Sequence, residues 1–195
     1  MRFEIAEFPT LTTERLILRE VVAEDAEDLL AFRGDPEVQR YNLVPMKDAR
    51  EARALVRTMQ GWYVSRYAIQ WGITLRGEDR VLGLCGLHDW NRQDRRAALG
   101  YDLVRSHWGR GLAHEAMQAV LRFGFEELDL DRVEALTIVE NERSVRLLQR
   151  LGFQPEGIRR PGALDYSGRF QGRAVYGLLR SDYEAGRSAA NDDQG

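Results

Sequence analysis

The chain has 195 residues, of which 44% are hydrophobic and 30% charged, the balance of an ordinary globular protein rather than of a disordered or fibrous one. Its formal net charge of −3 and isoelectric point near 5.7 argue against a dedicated nucleic-acid-binding protein, which usually carries a basic face. No apolar run approaches the roughly 20 residues of a membrane helix, and residues 1–10 lack the layout of a signal peptide, so we expect a cytoplasmic protein without a membrane partner.

The length suits one compact domain, which we expect to cover residues 1–184, followed by a flexible tail at 185–195 where the sequence becomes small and polar. Cys85 is the only cysteine, so an intramolecular disulfide and a Cys-rich metal site are excluded, and the sequence predicts no metal site. Because no activating partner lies nearby in the sequence, Cys85 is interpreted as a small buried strand residue rather than a nucleophile.

The first half of the chain predicts strands and two helices. In the second helical tract Ala52, Val56 and Met59 recur at three- and four-residue steps, so they would share one buried face. The turn-like residues 76–79 favour an antiparallel hairpin. The predicted elements are, in order, a strand at 16–21, a helix at 24–32 interrupted by Asp35-Pro36, a helix at 48–66, strands at 68–75 and 81–87, and a polar loop at 88–96.

The second half predicts strand–helix–strand units. They are a strand at 97–104, a helix at 111–128, a strand at 133–139, a helix at 141–151, and strands at 153–158 and 174–179. A mostly antiparallel beginning followed by such units indicates the α/β (α+β) class, with helices covering a mixed central sheet.

A glycine-bearing turn between strand 97–104 and the following helix carries most of the chemical information. Small residues at Gly109, Gly111 and Ala113 let the backbone turn tightly and bring several N–H groups to the start of a helix, where a pyrophosphate would fit. Arg105 and Arg110 flank it and could add contacts to phosphate oxygens. The spacing matches neither the P-loop nor the dinucleotide-binding motif, and a Gly-x-Gly turn is also common wherever a strand leads into a helix.

The segment Trp108-Gly109-Arg110-Gly111-Leu112-Ala113 resembles the coenzyme A pyrophosphate signature of the GNAT acetyltransferase superfamily, written Arg/Gln-x-x-Gly-x-Gly/Ala. Its tryptophan departs from that consensus but is similar to the branch of ribosomal-protein N-terminal (alanine/serine) acetyltransferases, where an aromatic-Gly-basic-Gly string is usual. Residues 141–153 resemble the Asn-x-x-Ser…Leu-Gly-Phe segment of that branch, and residues 16–19 resemble its opening strand. The resemblance spans about residues 10–183.

This resemblance implies a GNAT-like sheet in which the two middle strands splay apart and bind acetyl-CoA as cosubstrate. The implied coenzyme contacts are Leu103, Val104, Gly109, Arg110, Gly111, Leu112, Ala113, Asn141 and Ser144. The implied reaction is direct attack by a primary amine, from a protein N-terminus or a small molecule, on the thioester in a ternary complex.

The resemblance also suggests Ser144 as the group that protonates or hydrogen-bonds the departing sulfur, while Asn141 additionally fits a helix N-cap. Many relatives carry a catalytic tyrosine further along this helix, where the present chain has Leu147-Leu148. That tyrosine's role is therefore not carried over.

Glu134 is predicted as the general base, because a partly desolvated carboxylate beside the cleft could take a proton directly or through water; an outward-facing strand residue is the alternative. The branch often has a glutamate where this chain has Ala98. His88, with Asp89, is the substitute that the sequence offers.

Three hypotheses remain open at this stage. The first is an N-acetyltransferase, monomeric or homodimeric. The second is a coenzyme A-binding regulatory module with little turnover, which the missing glutamate and tyrosine make worth keeping. The third is a nucleotide-binding protein that uses the same turn. The arginines of loop 88–96 are interpreted as solvated; facing the acceptor, they would favour one that carries carboxylates or phosphates.

Overall fold

A single eight-stranded sheet forms the centre of the computed structural model, which describes residues 7–42, 44–164 and 170–192. The strands are β1 (Leu11–Thr12), β2 (Leu16–Arg19), β3 (Ile69–Leu75), β4 (Gly83–Asn91), β5 (Arg96–Leu103), β6 (Arg132–Ile138), β7 (Gln154–Leu164) and β8 (Phe170–Leu179). Their order is β1-β2-β3-β4-β5-β6-β8-β7, and every neighbouring pair is antiparallel except β5 and β6. This confirms the predicted mixed, mostly antiparallel class.

Helices cover the sheet and bury two apolar clusters against it. They are α1 (Ala26–Arg33), α2 (Pro36–Gln39), α3 (Ala49–Val64), α4 (Leu112–Glu126), α5 (Glu142–Arg150) and α6 (Arg180–Asp192). One cluster joins Phe32 of α1 and Val56 of α3 to Leu84 of β4, and the larger one joins α4 to β3, where Trp71 meets Phe123 edge-on at 5.3 Å between ring centroids. Within the described ranges, no helix combines the length and apolar character needed to cross a bilayer.

Strands β5 and β6 separate along their length. They pair in parallel only from Arg96 with Arg132 to Ala98 with Glu134, after which β5 continues to Leu103 and β6 to Ile138 without further pairing between them. The carboxyl ends of these two central strands therefore diverge and leave a gap between them. Open α/β sheets bind ligands in such a crevice, outside the carboxyl ends of the strands. The glycine-bearing turn and α4 follow β5, and α5 follows β6, so both helices begin at this gap.

One segment differs from the sequence-based expectation. The predicted loop at 88–96 shrinks to residues 92–95, because β4 extends to Asn91 through a bulge after His88. Helix α6 packs Tyr183 on Phe125 with ring centroids 4.6 Å apart and continues into residues 185–192 of the predicted tail. Residues 193–195 lie outside the described ranges.

The Asp35-Pro36 pair interrupts the first helix as predicted and also begins α2, which the sequence did not indicate. Proline occupies the first helical position, where a missing N–H costs nothing, and the Asp35 carboxylate accepts a hydrogen bond from the Glu37 amide at 2.9 Å. This short helix leads to Tyr41 and Asn42, which face the gap between β5 and β6.

Glu115 in the first turn of α4 fastens the start of the chain to the glycine-bearing turn. Its carboxylate accepts hydrogen bonds from Thr13 Oγ1 at 2.6 Å, the Arg15 amide at 2.8 Å and Arg15 Nε at 2.6 Å. Arg15 Nη1 in turn donates to the carbonyl of Arg110 at 2.9 Å. Partial burial acts to raise the pKa of Glu115, but these hydrogen bonds outweigh it and hold its pKa below the ordinary value.

Replacing Glu115 with glutamine is therefore expected to lower the free energy of unfolding by about 1 kcal/mol, a value reduced for the partial exposure of the ion pair. Because the folded-state pKa lies below the unfolded one, this contribution is present above the ordinary glutamate range and is lost as the pH falls through the folded-state value. Urea titrations at neutral and acidic pH would measure it. A constant difference between wild type and variant at both pH values would contradict the assignment.

Candidate active site

The glycine-bearing turn uses backbone conformations that side chains rarely adopt. Gly109 and Gly111 have φ angles of 74° and 78°, both in the left-handed region. Gly111 is the N-cap residue of α4, and no side chain caps the helix. Most helix starts carry a Ser, Thr, Asp or Asn whose oxygen satisfies a free amide, so this start leaves its donors available.

The amides of this turn are unpaired. Among the residues that the structure describes, none accepts a hydrogen bond from the backbone N–H groups of residues 109–114, and the first intrahelical bond runs from Glu115 to Gly111 at 3.1 Å. Gly109, Arg110 and Gly111 are exposed to solvent. Free donors at the positive end of a 15-residue helix favour an anion, so the residues present fit a diphosphate.

Trp108, at the first position of the motif, contacts the elements on both sides of the turn. Its indole Nε1 donates to the Leu103 carbonyl at 2.7 Å, and the guanidinium of Arg143 lies 4.6 Å from its ring centroid. The tryptophan thus holds the turn between the end of β5 and the start of α5. It also occupies the Leu103 carbonyl, so of the backbone groups of Leu103 that face the gap, the N–H is the one left for the coenzyme. These groups face away from β4 because the next residue, Val104, donates to the carbonyl of Leu82, which directly precedes β4.

A cavity of about 250 Å³ opens where β5 and β6 diverge. Its walls come from α1, the segment after α2, and strands β3, β4, β5, β6 and β8, and include Arg33, His88, Tyr101, Asp102, Thr137 and Arg173. Cys85 also lies in its wall. Burial raises the pKa of the Cys85 thiol, which therefore stays neutral, as its interpretation as a buried strand residue requires.

Ser144 and Asn141 lie together at the start of α5. The Asn141 side chain accepts a hydrogen bond from the Ser144 amide at 3.2 Å and is the N-cap, in agreement with that interpretation of the sequence. Ser144 is buried near the phenol of Tyr101 on β5. Burial raises the pKa of Tyr101, while the neighbouring Ser144 acts in the opposite direction and does not cancel the rise. Tyr101 consequently keeps its proton at neutral pH.

Tyr101 is a candidate that the sequence reasoning missed. The relatives' tyrosine was sought on α5, whereas here a tyrosine hydroxyl reaches the same helix from the facing strand. The alternation of Leu99, Tyr101 and Leu103 on one face of β5 was the available signal.

His88 lines the cavity at the bulge of β4. Its Nδ1 lies 3.0 Å from Asp89 Oδ2, and its Nε2 lies over Gly100, where an added Cβ would stand 3.5 Å away. Asp89 has a φ of 52°, and its other carboxylate oxygen accepts a hydrogen bond from Tyr67 at 2.6 Å. The Tyr67 hydrogen bond, followed by that of His88, lowers the pKa of Asp89, so this carboxylate is ionised and holds the imidazole.

The structure does not bring Glu134 to the cavity. Glu134 lies at the closed end of the gap, opposite Ala98, and its carboxylate is bound by Arg132 Nε at 3.0 Å. Arg132 also hydrogen-bonds to Glu156. The arginines of the predicted loop are likewise engaged: Arg95 pairs with Asp129 at 2.8 Å, and Arg96 pairs with Asp94 at 3.4 Å.

A buried polar group that the sequence did not indicate lies at the base of the cavity. Arg33 Nη2 pairs with Asp102 Oδ2 at 2.7 Å, and Asn42 donates to the other oxygen of Asp102. Only 13% of the Arg33 side chain and 5% of the Asp102 side chain are exposed, so the two opposite charges neutralise each other in a site that is shielded from water. Across the described residues, no group of three or more His, Cys, Asp or Glu side chains is placed to hold a metal ion.

The chain is similar to proteins of a known family. Residues 15–154 match the family described as acetyltransferase (GNAT) domain. A Bacillus licheniformis protein named uncharacterized N-acetyltransferase p20 is 39% identical over 178 residues, which are 89% of this chain and 98% of the relative. The [ribosomal protein uS5]-alanine N-acetyltransferase of Escherichia coli is 28% identical over 91% of this chain and 94% of its own.

A solved structure shows the same fold. A ribosomal L7/L12 alpha-N-protein acetyltransferase in complex with coenzyme A superposes with a TM-score of 0.80 over 88% of this chain and 98% of the other. At 19% identity, this likeness is one of fold.

Proposed function

The chain belongs to the GNAT acetyltransferase family and is an acetyltransferase enzyme, and from this premise we propose that it moves the acetyl group of acetyl-CoA to a primary amine by direct attack in a ternary complex. The observation that carries the proposal is the set of unpaired amides at residues 109–114, placed where β5 and β6 diverge beside a cavity. The acceptor is a protein N-terminus or a small amine, and the uS5-alanine acetyltransferase relative supports the former. The enzyme acts in the cytoplasm.

The coenzyme diphosphate binds at the amides of Gly109, Arg110, Gly111, Leu112 and Ala113, with the Arg110 guanidinium free to approach a phosphate oxygen. The pantetheine arm then runs along the free edge of β5 and pairs with the Leu103 N–H before Val104 leads into the turn. Asn141, at the start of α5, contacts the coenzyme from the β6 side of the gap. This route carries the thioester toward the cavity, which His88 and Tyr101 line, with Ser144 near Tyr101.

His88 is the general base in this proposal, in place of Glu134. Its Nε2 lies over Gly100 in the cavity wall, while Asp89, held by Tyr67, contacts Nδ1 and positions the ring. A neutral acceptor amine attacks the thioester carbonyl, and His88 takes the proton that the nitrogen gives up. Glu134 is committed to Arg132 and has no access to that proton.

Ser144 and Tyr101 serve the leaving group. Their side chains lie near each other across the gap, and in this proposal a proton given by Ser144 to the departing thiolate is replaced from the Tyr101 phenol, which then regains its proton from water. Burial keeps Tyr101 protonated for this purpose. The pair substitutes for the tyrosine that is absent at Leu147-Leu148.

Changing Tyr101 to phenylalanine is expected to lower kcat about tenfold to a hundredfold, because the proton donor behind Ser144 is lost. Affinity for coenzyme A should stay within about threefold, since the diphosphate contacts are unchanged. Steady-state kinetics and calorimetric titration measure the two effects. Tyr63→Phe removes a hydroxyl that binds the Glu7 carbonyl, away from the cavity, and is the matched control. Equal kcat values for the two variants would remove Tyr101 from the mechanism.

The function itself is tested by thiol release from acetyl-CoA in the presence of a panel of peptides and small amines. The proposal expects saturable turnover with at least one class of acceptor. Tight coenzyme A binding without turnover across a broad panel would instead identify a coenzyme A-binding regulatory module. Displacement of coenzyme A by ATP or NAD would identify a nucleotide-binding protein.

A further inference from the structure

Two arginines face each other beside the cavity. Arg173 of β8 pairs in register with Ile138 of β6 on one side and with Arg159 of β7 on the other, so the three side chains form a row on one face of the sheet. Ile138 and Arg173 both line the cavity. Like charges directly opposite each other in an antiparallel pair destabilise a sheet, so this arrangement is unfavourable unless an anion lies against it.

The positive charge of this row is unbalanced. None of the residues that the structure describes forms an ion pair or a side-chain hydrogen bond with the guanidinium of Arg173 or of Arg159. The other arginines nearby are neutralised, because Arg33 pairs with Asp102 and Arg132 pairs with Glu134. Among the described residues of the cavity wall, Arg173 is therefore the arginine for which no described side chain supplies a counter-charge.

We propose that Arg173, assisted by Arg159, binds an anionic group of the acceptor, so that the substrate is a primary amine carrying a carboxylate or a phosphate close to its amino group. The inference rests on the proposed function and names the substrate class of that site. A guanidinium suits either anion because its planar fork can donate two parallel hydrogen bonds. The cavity of about 250 Å³ holds roughly eight waters at about 30 Å³ each, which is room for one residue-sized acceptor.

Such an acceptor can be a small anionic amine or the first residues of an acidic peptide. Paired substrates distinguish these sources: glutamate against glutamine as free amino acids, and two peptides that differ only by Glu or Gln at the second position. For at least one pair, kcat/KM should be about tenfold higher for the anionic member. The pair that shows the preference identifies the source. Equal rates within both pairs would overturn the proposal.

Arg173→Gln should abolish that preference by lowering kcat/KM for the anionic member, while Arg173→Lys should keep part of it. Arg122→Gln is the control, because Arg122 is exposed on α4 and removes the same charge away from the cavity. An equal loss for anionic and neutral acceptors in Arg173→Gln would show a merely structural role and contradict the proposal.

A binding measurement separates this inference from the proposed function. Glutamate and the Glu peptide are titrated calorimetrically into protein saturated with coenzyme A, which permits no transfer. Binding that weakens at least tenfold in Arg173→Gln supports the anion site even if no acceptor is acetylated. Binding that is equal in the two proteins, or absent for both probes, overturns the anion site even if neutral amines are acetylated.

Discussion

Replacing Gly111 with aspartate is expected to weaken coenzyme A binding by at least about a hundredfold while leaving the protein folded. Aspartate is a favoured N-cap residue and tolerates the left-handed conformation, and a Cβ at this position would lie 3.4 Å from Arg15 Nη2, a ready partner for the new carboxylate. The carboxylate, however, stands at the donors that receive the diphosphate. Repulsion between two unit charges at about 4 Å is on the order of 4 kcal/mol near a protein surface, and about 2.8 kcal/mol suffices for a hundredfold loss.

Gly111→Asn is the matched control for this prediction. It has the size and hydrogen-bonding shape of aspartate without the charge, and asparagine also tolerates the left-handed region. Its affinity for coenzyme A should fall no more than about fivefold. Calorimetric titration of both variants measures the difference, and thermal unfolding verifies that each is folded. Equal dissociation constants for the two variants would place the diphosphate elsewhere.

Replacing His88 with glutamine is expected to lower kcat by about a hundredfold to ten-thousandfold, the usual contribution of a positioned general base. Glutamine keeps a polar side chain over Gly100 but takes no proton. The affinity for coenzyme A should be unchanged, because the glycine-bearing turn lies at a different part of the gap. Steady-state kinetics measure the change in kcat, and calorimetric titration measures the affinity for coenzyme A.

Two further variants assign the role. Asp89→Asn, which weakens the hold on Nδ1, should lower kcat by about tenfold, as expected for a residue that acts through His88. Glu134→Gln should remain within about twofold of wild type at every pH, since its carboxylate is bound by Arg132 outside the cavity. A large loss of kcat in Glu134→Gln together with a small loss in His88→Gln would identify Glu134 as the general base.

The sequence was sufficient for the parts of the fold that depend on local patterns. Apolar residues at helical spacing placed α3 and α4, and Gly109 and Gly111 indicated the left-handed turn that starts α4. These features are decided by residues close together in the chain. The family resemblance carried by three motifs implied the splay between the middle strands, which periodicity alone does not reveal.

The errors fell where tertiary contacts overrule local preference. Residues 88–91 are polar and loop-like, yet β4 continues through them because Asn91 pairs with Arg96 of β5 and the Trp90 amide donates to the Tyr67 carbonyl at 3.0 Å. The last helix, α6, likewise depends on distant partners, since Tyr183 stacks on Phe125 and Arg180 pairs with Asp129 at 2.9 Å.

The chemistry of the cavity was only partly predictable for a related reason. Which side chains meet across the gap depends on strand register and on the bulge at Asp89, and both are set by pairing rather than by residue type. His88 and Ser144 were among the candidates, but Tyr101 beside Ser144 and Asp102 beside Arg33 join distant segments. The sequence favoured Glu134 as the base because it does not reveal the hydrogen bond between the Glu134 carboxylate and Arg132.

The central claim is that the backbone amides of residues 109–113 bind the coenzyme diphosphate. Amide chemical shifts test it most directly, in isotope-labelled protein titrated with coenzyme A and, separately, with pantetheine. Coenzyme A should shift the amide resonances of residues 109–113 strongly, as new hydrogen bonds to phosphate oxygens form, and pantetheine should leave them near their free positions. Amide resonances at 109–113 that stay in place at saturating coenzyme A would contradict this account.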